Sequence, residues 1–447
     1  MNRNEGKSAK RVMAEKLLAF MAGAVLRKYK PLVVGVTGSV GKSSAKEAAA
    51  LVLSGSMRTR KSEGNFNNEV GAPLTILGVG TGGSPLMRMF SAAVRFPFLI
   101  IFPIPYPKAL VLEMGIDRPG DMAAMLRIVP ARIGILTTIG ESHLEYFGSV
   151  GNIAKEKGKL IASLPADGFA VVNADDERVL GTGKKTKAVV LSYGFASGAT
   201  VRADHLLLQD TDDGIGSSFK LNYDGKSIPV RLPGVIARHH VADALAGAAV
   251  GIAAGMHLVD IAKRLEAYAP LPGRLRFIAG RDGIGLLDDT YNASPVSVRA
   301  ALSTLREIPA RRKVVALGDM LELGAGSEEA HRELAADILA SGTELAILVG
   351  RHMRTLGETL LSGGMPRGAV LLFPDPDSAA LIVREVLHEG DLVLVKGSQG
   401  LRMEKVSEAL LRSPDDSKIL LCRQSAAWRS KPFVPPSEWT MDAPESL

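Results

Sequence analysis

The run Thr37-Gly38-Ser39-Val40-Gly41-Lys42-Ser43-Ser44 carries the plainest chemistry in the chain. Its glycines let backbone N–H groups converge on phosphate oxygens, a following helix would add its dipole, and the Lys42 ammonium supplies compact positive charge. Ser43 can turn its hydroxyl toward Mg2+. A full Walker A motif has another glycine five positions before Gly41, where this chain has Val36, so the shorter Gly-x-x-Gly-Lys-Ser core remains. Two more polar groups close apolar runs: Glu113 after Ala109–Leu112, and His143 in Ser142-His-Leu-Glu145 after Ile133–Thr138. Carboxylate and hydroxyl oxygens suit Mg2+, with imidazole a minority ligand. The plainer alternative makes His143 a capping residue and Glu113 a structural ion-pair partner.

Elements must hold these groups together. Leu32–Val36, Ala109–Glu113, Ile133–Thr137 and Ala170–Asn173 read as buried strands separated by helical stretches. Such alternation predicts a parallel sheet with crossover helices, which gathers ligands at the carboxyl ends of its strands. Glu113 and His143 should then face the phosphate loop. Between Val201 and Leu232 the pattern turns to hairpins, with Asp213-Gly214 and Asp224-Gly225 as turn signals, and an Ala-rich helix follows over Val241–Ala254. Pro270-Leu-Pro-Gly-Arg274 breaks the chain, and a second α/β series begins: Leu286–Asp289, Val314–Leu317, Leu345–Val349, Val370–Phe373 and Leu392–Val395. The expected fold class is therefore α/β, a central P-loop ATPase domain with a parallel sheet plus a C-terminal Rossmann-like domain. The expected division is a basic amphipathic helix over 1–30, an ATP-binding domain over 31–270, a C-terminal domain over 271–425 and an irregular tail over 426–447.

The chain is 447 residues long, a prior for about three domains. With 46% apolar residues each can bury a core, which excludes wholesale disorder. The net charge of +7 is too dilute to indicate nucleic acid. A single cysteine, Cys422, excludes an internal disulfide and fits a reducing, cytoplasmic setting. The apolar run Leu17–Leu26 imitates a signal peptide, but Arg27, Lys28, Lys30 and a nucleotide-binding strand follow at once. Phe96–Tyr106 is too short and proline-broken to span a bilayer; it reads as a buried loop or as an interfacial patch. Packing of both segments is the plainer reading; weak contact with an anionic membrane surface or a partner is the sharper one.

Thr37–Ser44, Glu63-Gly-Asn-Phe-Asn-Asn-Glu-Val-Gly-Ala-Pro73 and Leu112-Glu-Met-Gly115 closely resemble the Mur ligase family. Leu287-Asp-Asp-Thr-Tyr-Asn-Ala-Ser-Pro295, Leu317-Gly-Asp-Met-Leu-Glu-Leu-Gly324 and Val395-Lys-Gly-Ser-Gln-Gly-Leu-Arg-Met-Glu-Lys405 resemble its D-alanyl-D-alanine-adding branch. The resemblance covers about Pro31 to Leu411. It implies a cytoplasmic ligase that joins D-alanyl-D-alanine to UDP-N-acetylmuramoyl-tripeptide through an acyl phosphate, with ATP and Mg2+; the oligomeric state stays open, with a monomer favoured. It also implies residue roles. Thr37, Gly38, Ser39, Gly41, Lys42, Ser43 and Ser44 would hold the ATP phosphates, and Ser43 and Glu113 one Mg2+. His143 would bind a second Mg2+ beside a carbamylated lysine, matched by Lys157 with Lys155 as competitor. Arg274 and Asp289 would contact the nucleotide; Asn65, Asn67, Asn68, Glu69, Asn292 and Lys396 would lie on the substrate side. Closure of two domains would keep water from the acyl phosphate.

Two departures stand out. The family usually has His-Asn-x-x-Asn near adenine, where this chain has His239-His240-Val-Ala-Asp243. The family's domain that grips the UDP-sugar precedes the phosphate loop, and about thirty residues precede Leu32 here, room for one helix. A ligase acting on another carboxylate, or a catalytically reduced nucleotide-binding scaffold, are the competing readings. Retention of Lys42, Glu113, His143, Lys157, Arg274 and Asp289 argues against the scaffold.

Overall fold

The computed structural model describes residues 9–430 apart from 65, 141–143 and 212–213. Asn65, His143 and the expected turn residue Asp213 therefore lie outside the described residues, as does the tail beyond Ser430. The chain divides into two compact units in place of about three. The first holds the described residues up to Leu207, with Ser218–Leu232 and Arg238–Tyr268; the second holds Leu208–Ser217, Pro233–Ala237 and the described residues from Ala269.

Strands β1 Leu32–Thr37, β2 Thr59–Lys61, β3 Ala109–Glu113, β4 Ile133–Leu136, β5 Phe169–Asn173, β6 Val189–Gly194, β7 Val201–Thr211, β8 Gly214–Tyr223 and β9 Lys226–Leu232 form one sheet. Their order is β2-β3-β1-β4-β5-β6-β7-β8-β9, with β2 to β7 paired in parallel. β1 lies between β3 and β4 and is almost wholly buried, which its β-branched run Val33-Val34-Gly-Val36 suits. The tight turn into β9 is Asp224-Gly225, with φ of 50° and 72°, the left-handed pair that a two-residue hairpin demands. The second sheet contains β10 Arg276–Ala279, β11 Gly285–Asp289, β12 Arg312–Gly318, β13 Thr343–Val349, β14 Val370–Phe373 and β15 Asp391–Lys396. Their order is β10-β11-β15-β12-β13-β14, parallel except for β10 against β11. The α/β expectation holds in both units.

Two helical expectations need correction. Helix α1, Ala9–Tyr29, buries Leu18, Met21, Ala22 and Val25 but exposes Met13, Leu17 and Phe20, so its middle turns are apolar on both sides and not amphipathic. After α2, Lys42–Leu53, and α3, Gly71–Leu77, comes α4, Pro85–Ile101. It takes in much of the segment read as a buried loop, and it is largely exposed. Ser84 caps it, accepting from Met87 N, and it continues through Pro97. Proline removes the bond to the carbonyl of Ala93, and both residues are exposed, so water can satisfy that carbonyl. Among the described residues no helix is long and apolar enough to cross a membrane.

Candidate active site

The phosphate loop leaves β1 at Thr37, whose buried Oγ1 donates to Met114 O at 2.8 Å. A Cβ at Gly38 would overlap Thr137 Oγ1, and Gly41, at φ 83°, starts α2 from the left-handed region. These two positions explain why glycine stands there. Thr137 Oγ1 donates to Val40 O at 2.5 Å, Val40 N donates to Thr138 Oγ1 at 3.0 Å, and Ser39 N donates to Thr138 O at 2.8 Å. The pair Thr137-Thr138 past β4 thus clamps the loop, a role that went unread in the sequence although two hydroxyls at a strand end are visible there. Lys42 Nζ folds over the loop, donating to Gly38 O at 2.9 Å and Ser39 O at 3.2 Å. Ser44 is buried beneath.

Glu113 ends β3 beside Val36 of β1, and Ser43 Oγ donates to its Oε2 at 2.7 Å. Asn67 Nδ2 donates to Oε1 at 3.3 Å, Ser62 Oγ accepts from the Glu113 amide, and Lys46 Nζ sits 3.7 Å from Oε2. Lys46 was also missed, although it stands one helical turn after Ser43. Asn67 therefore serves the carboxylate directly. Asn68 Oδ1 accepts from Val70 N and Gly71 N at the start of α3. Glu69 follows at the same turn.

Helix Val150–Ala162 is capped by Ser149 and brings two lysines to different surroundings. Lys155 is exposed, whereas Lys157 is buried and donates from Nζ to Gly38 O at 2.9 Å. Burial, helped by the Lys42 charge and opposed by Asp117, pushes the Lys157 ammonium down to about 7. Helix Arg238–Ala253 closes the loop's other side. His240 Nδ1 and Asp243 Oδ2 are 3.5 Å apart and buried, and Asp243 Oδ1 would lie 3.0 Å from a Cβ on Gly41.

The second unit assembles its own cluster. Asp289 ends β11 level with Lys396 of β15, and Lys396 Nζ donates to Asp289 Oδ2 at 2.7 Å and to Asn292 O at 2.8 Å. Asn292 Oδ1 accepts from Gln399 N at 3.3 Å. The Arg274 guanidinium stacks 3.8 Å from the Tyr291 ring centre. Asp288, fully buried, accepts from Ser407, Thr290 and Gly273 N, yet burial still raises it to about 6.

Oxygen donors at Ser43 and Glu113, already touching at the end of the phosphate loop, fit a hard divalent cation next to a polyphosphate. A parallel sheet with a Gly-x-x-Gly-Lys-Ser loop at its carboxyl edge defines the class of P-loop nucleotide-binding proteins. More narrowly, residues 101–251 match the Mur ligase middle domain and residues 273–399 the Mur ligase glutamate ligase domain. A UDP-N-acetylmuramoyl-tripeptide–D-alanyl-D-alanine ligase of Mycobacterium bovis is 32% identical over 91% of this chain and 78% of its own. That of Escherichia coli is 31% identical over 89% and 81%. Among solved structures, MurF from Acinetobacter baumannii superposes with a TM-score of 0.73 at 26% identity, covering 90% of this chain and 81% of its own. MurF from Thermotoga maritima in complex with ADP gives 0.69 at 25%, covering 88% and 83%. The chain belongs to the Mur ligase family.

Proposed function

We propose that this chain is an ATP-dependent, ADP-forming amide ligase of peptidoglycan precursor synthesis, joining D-alanyl-D-alanine to UDP-N-acetylmuramoyl-tripeptide. The observation that carries the reading is the convergence of Lys42, the Ser43–Glu113 pair and buried Lys157 on one phosphate loop. ATP and a nucleotide-linked substrate place the reaction in the cytoplasm.

A carboxylate is a poor electrophile, so its oxygen first attacks the terminal phosphate of ATP, releasing ADP. The dipeptide amine then attacks the acyl phosphate, and phosphate leaves. The loop amides and Lys42 hold the charge that accumulates on the phosphoryl oxygens. Ser43 and Glu113 would hold Mg2+, with His143 on a second ion. When bound, Mg2+ neutralises phosphate charge and acts as a Lewis acid. Lys157 is suited to carbamylation: near pH 7 a large share is the free amine, which adds CO2 and releases one proton to become an anionic oxygen donor. Lys155, the competing candidate, is exposed on the same helix. In the second unit Arg274 and Asp289 would serve the nucleotide, and Lys396 and Asn292 the peptide.

Isotopic labelling of the tripeptide's terminal carboxylate oxygens tests the route. Labelled oxygen should appear in the released phosphate, in step with amide formation. Unlabelled phosphate during ligation would overturn the acyl phosphate.

A further inference from the structure

Helix α4 packs on the first unit through Ala92 and Leu99 and turns most of its other side chains outward. Apart from Ser91 and Arg95, those outward residues are apolar. Leu86 is 82% exposed, Phe90 70% and Ile101 70%, with Met87, Val94 and Phe98 also exposed between them. Their spacing of three or four residues draws one stripe along the helix. α1 lies alongside and adds its own exposed stripe, Met13, Leu17 and Phe20, with the Phe20 ring 6.4 Å from that of Phe96. The two helices are locked together. Lys28 Nζ donates to the carbonyls of Leu99, Ile100 and Phe102 and so satisfies the end of α4.

We infer that this two-helix face docks in the interface of an anionic lipid bilayer. Contiguous exposed apolar surface of this kind marks an interaction site. Its charge decides between occupants. From Val70 to Leu112 the chain has no Asp or Glu, while Arg88, Arg95 and Lys108 fall within the same stretch. On α1, Lys16 and Arg27 are exposed beside the apolar stripe, and Lys30 follows. A second copy brought face to face would set these cations against one another. The outward side of α4 also offers few polar groups with which a folded partner could set register, whereas acyl chains need none. Apolar rings and aliphatic side chains flanked by Lys and Arg are what an interfacial helix presents to acidic headgroups. Neither helix is long and apolar enough to cross a membrane, so this face would lie on the surface.

Co-sedimentation with vesicles tests this on the full chain. Vesicles of phosphatidylcholine alone are compared with vesicles containing phosphatidylglycerol, at low and high salt. The unaltered chain should sediment with the anionic vesicles at low salt, lose most of that binding at high salt, and bind neutral vesicles at least about tenfold more weakly. Phe90→Ser with Ile101→Ser, and separately Lys16→Glu with Arg27→Glu, should each weaken anionic binding about tenfold or more. All four positions are exposed, so melting temperature and ATP-dependent turnover should hold steady. No sedimentation at low salt would overturn the proposal. So would equal binding to neutral vesicles at every salt, or a concentration-dependent dimer with no vesicle binding. The salt and lipid comparisons need no variant.

Discussion

Burial and the neighbouring Lys42 ammonium bring Lys157 from its ordinary 10.5 down to about 7. Between those values the unfolded chain holds a proton that the native chain lacks, so stability rises with pH across the window. The cost of the buried charge is complete below about 7 and gone above 10.5. Lys157→Met should therefore raise the melting temperature in CO2-free buffer near pH 6, by an amount that shrinks to nothing toward about pH 10. A gain independent of pH would contradict the burial account. In activity the same site should behave oppositely: Lys157→Ala loses turnover at ambient bicarbonate, and short carboxylates partly restore it. Rescue of Lys155→Ala instead would shift the register by two residues. Lys42→Ala should cost turnover about a hundredfold or more with the fold intact, since it removes phosphate-directed charge and no packing; near-normal turnover would sink the ATP-site assignment. Lys42, Ser43 and Glu113 were legible because a motif and a strand end mark them. The bond from Gly71 N to Asn68 Oδ1 was not legible, because a residue that accepts from a helix start is of the same type as one that meets a substrate. Thr137 and Thr138 were hidden because their partners are backbone atoms about a hundred residues earlier.

At the level of elements, β3 and β14 fall where their apolar runs place them, and the other expected strands differ only at their ends. Buried parallel strands leave continuous apolar runs, which short sequence windows capture. α4 was obscured by its prolines, which are tolerated because Pro97 and its freed carbonyl face outward. The contact between α2 and helix Arg238–Ala253 was invisible for another reason: it depends on one absent side chain. A Cβ on Gly247 would stand 2.8 Å from the carbonyl carbon of Ala48. Gly247→Val should destabilise the first unit by about 1–3 kcal/mol, read from denaturant unfolding. An unchanged midpoint would show that the two helices can separate freely.

For the whole molecule, two α/β units each bring a charged cluster to the carboxyl end of a parallel sheet: Lys42, Glu113 and Lys157 in one, Asp289 and Lys396 in the other. The alternating strand pattern made that architecture readable, while the assignment of Leu208–Ser217 and Pro233–Ala237 to the second unit depends on tertiary contacts that no local window contains. The central claim is that this chain is an ATP-dependent ligase that adds D-alanyl-D-alanine to UDP-N-acetylmuramoyl-tripeptide. Its most direct test is to incubate the chain with ATP, Mg2+, UDP-N-acetylmuramoyl-tripeptide and D-alanyl-D-alanine, following ADP and the peptide product by mass spectrometry. The account predicts one ADP for each new amide bond, with the product heavier by the dipeptide less water, and no product when either substrate is omitted. ADP released at the same rate without the peptide substrates, and no pentapeptide product, would contradict it.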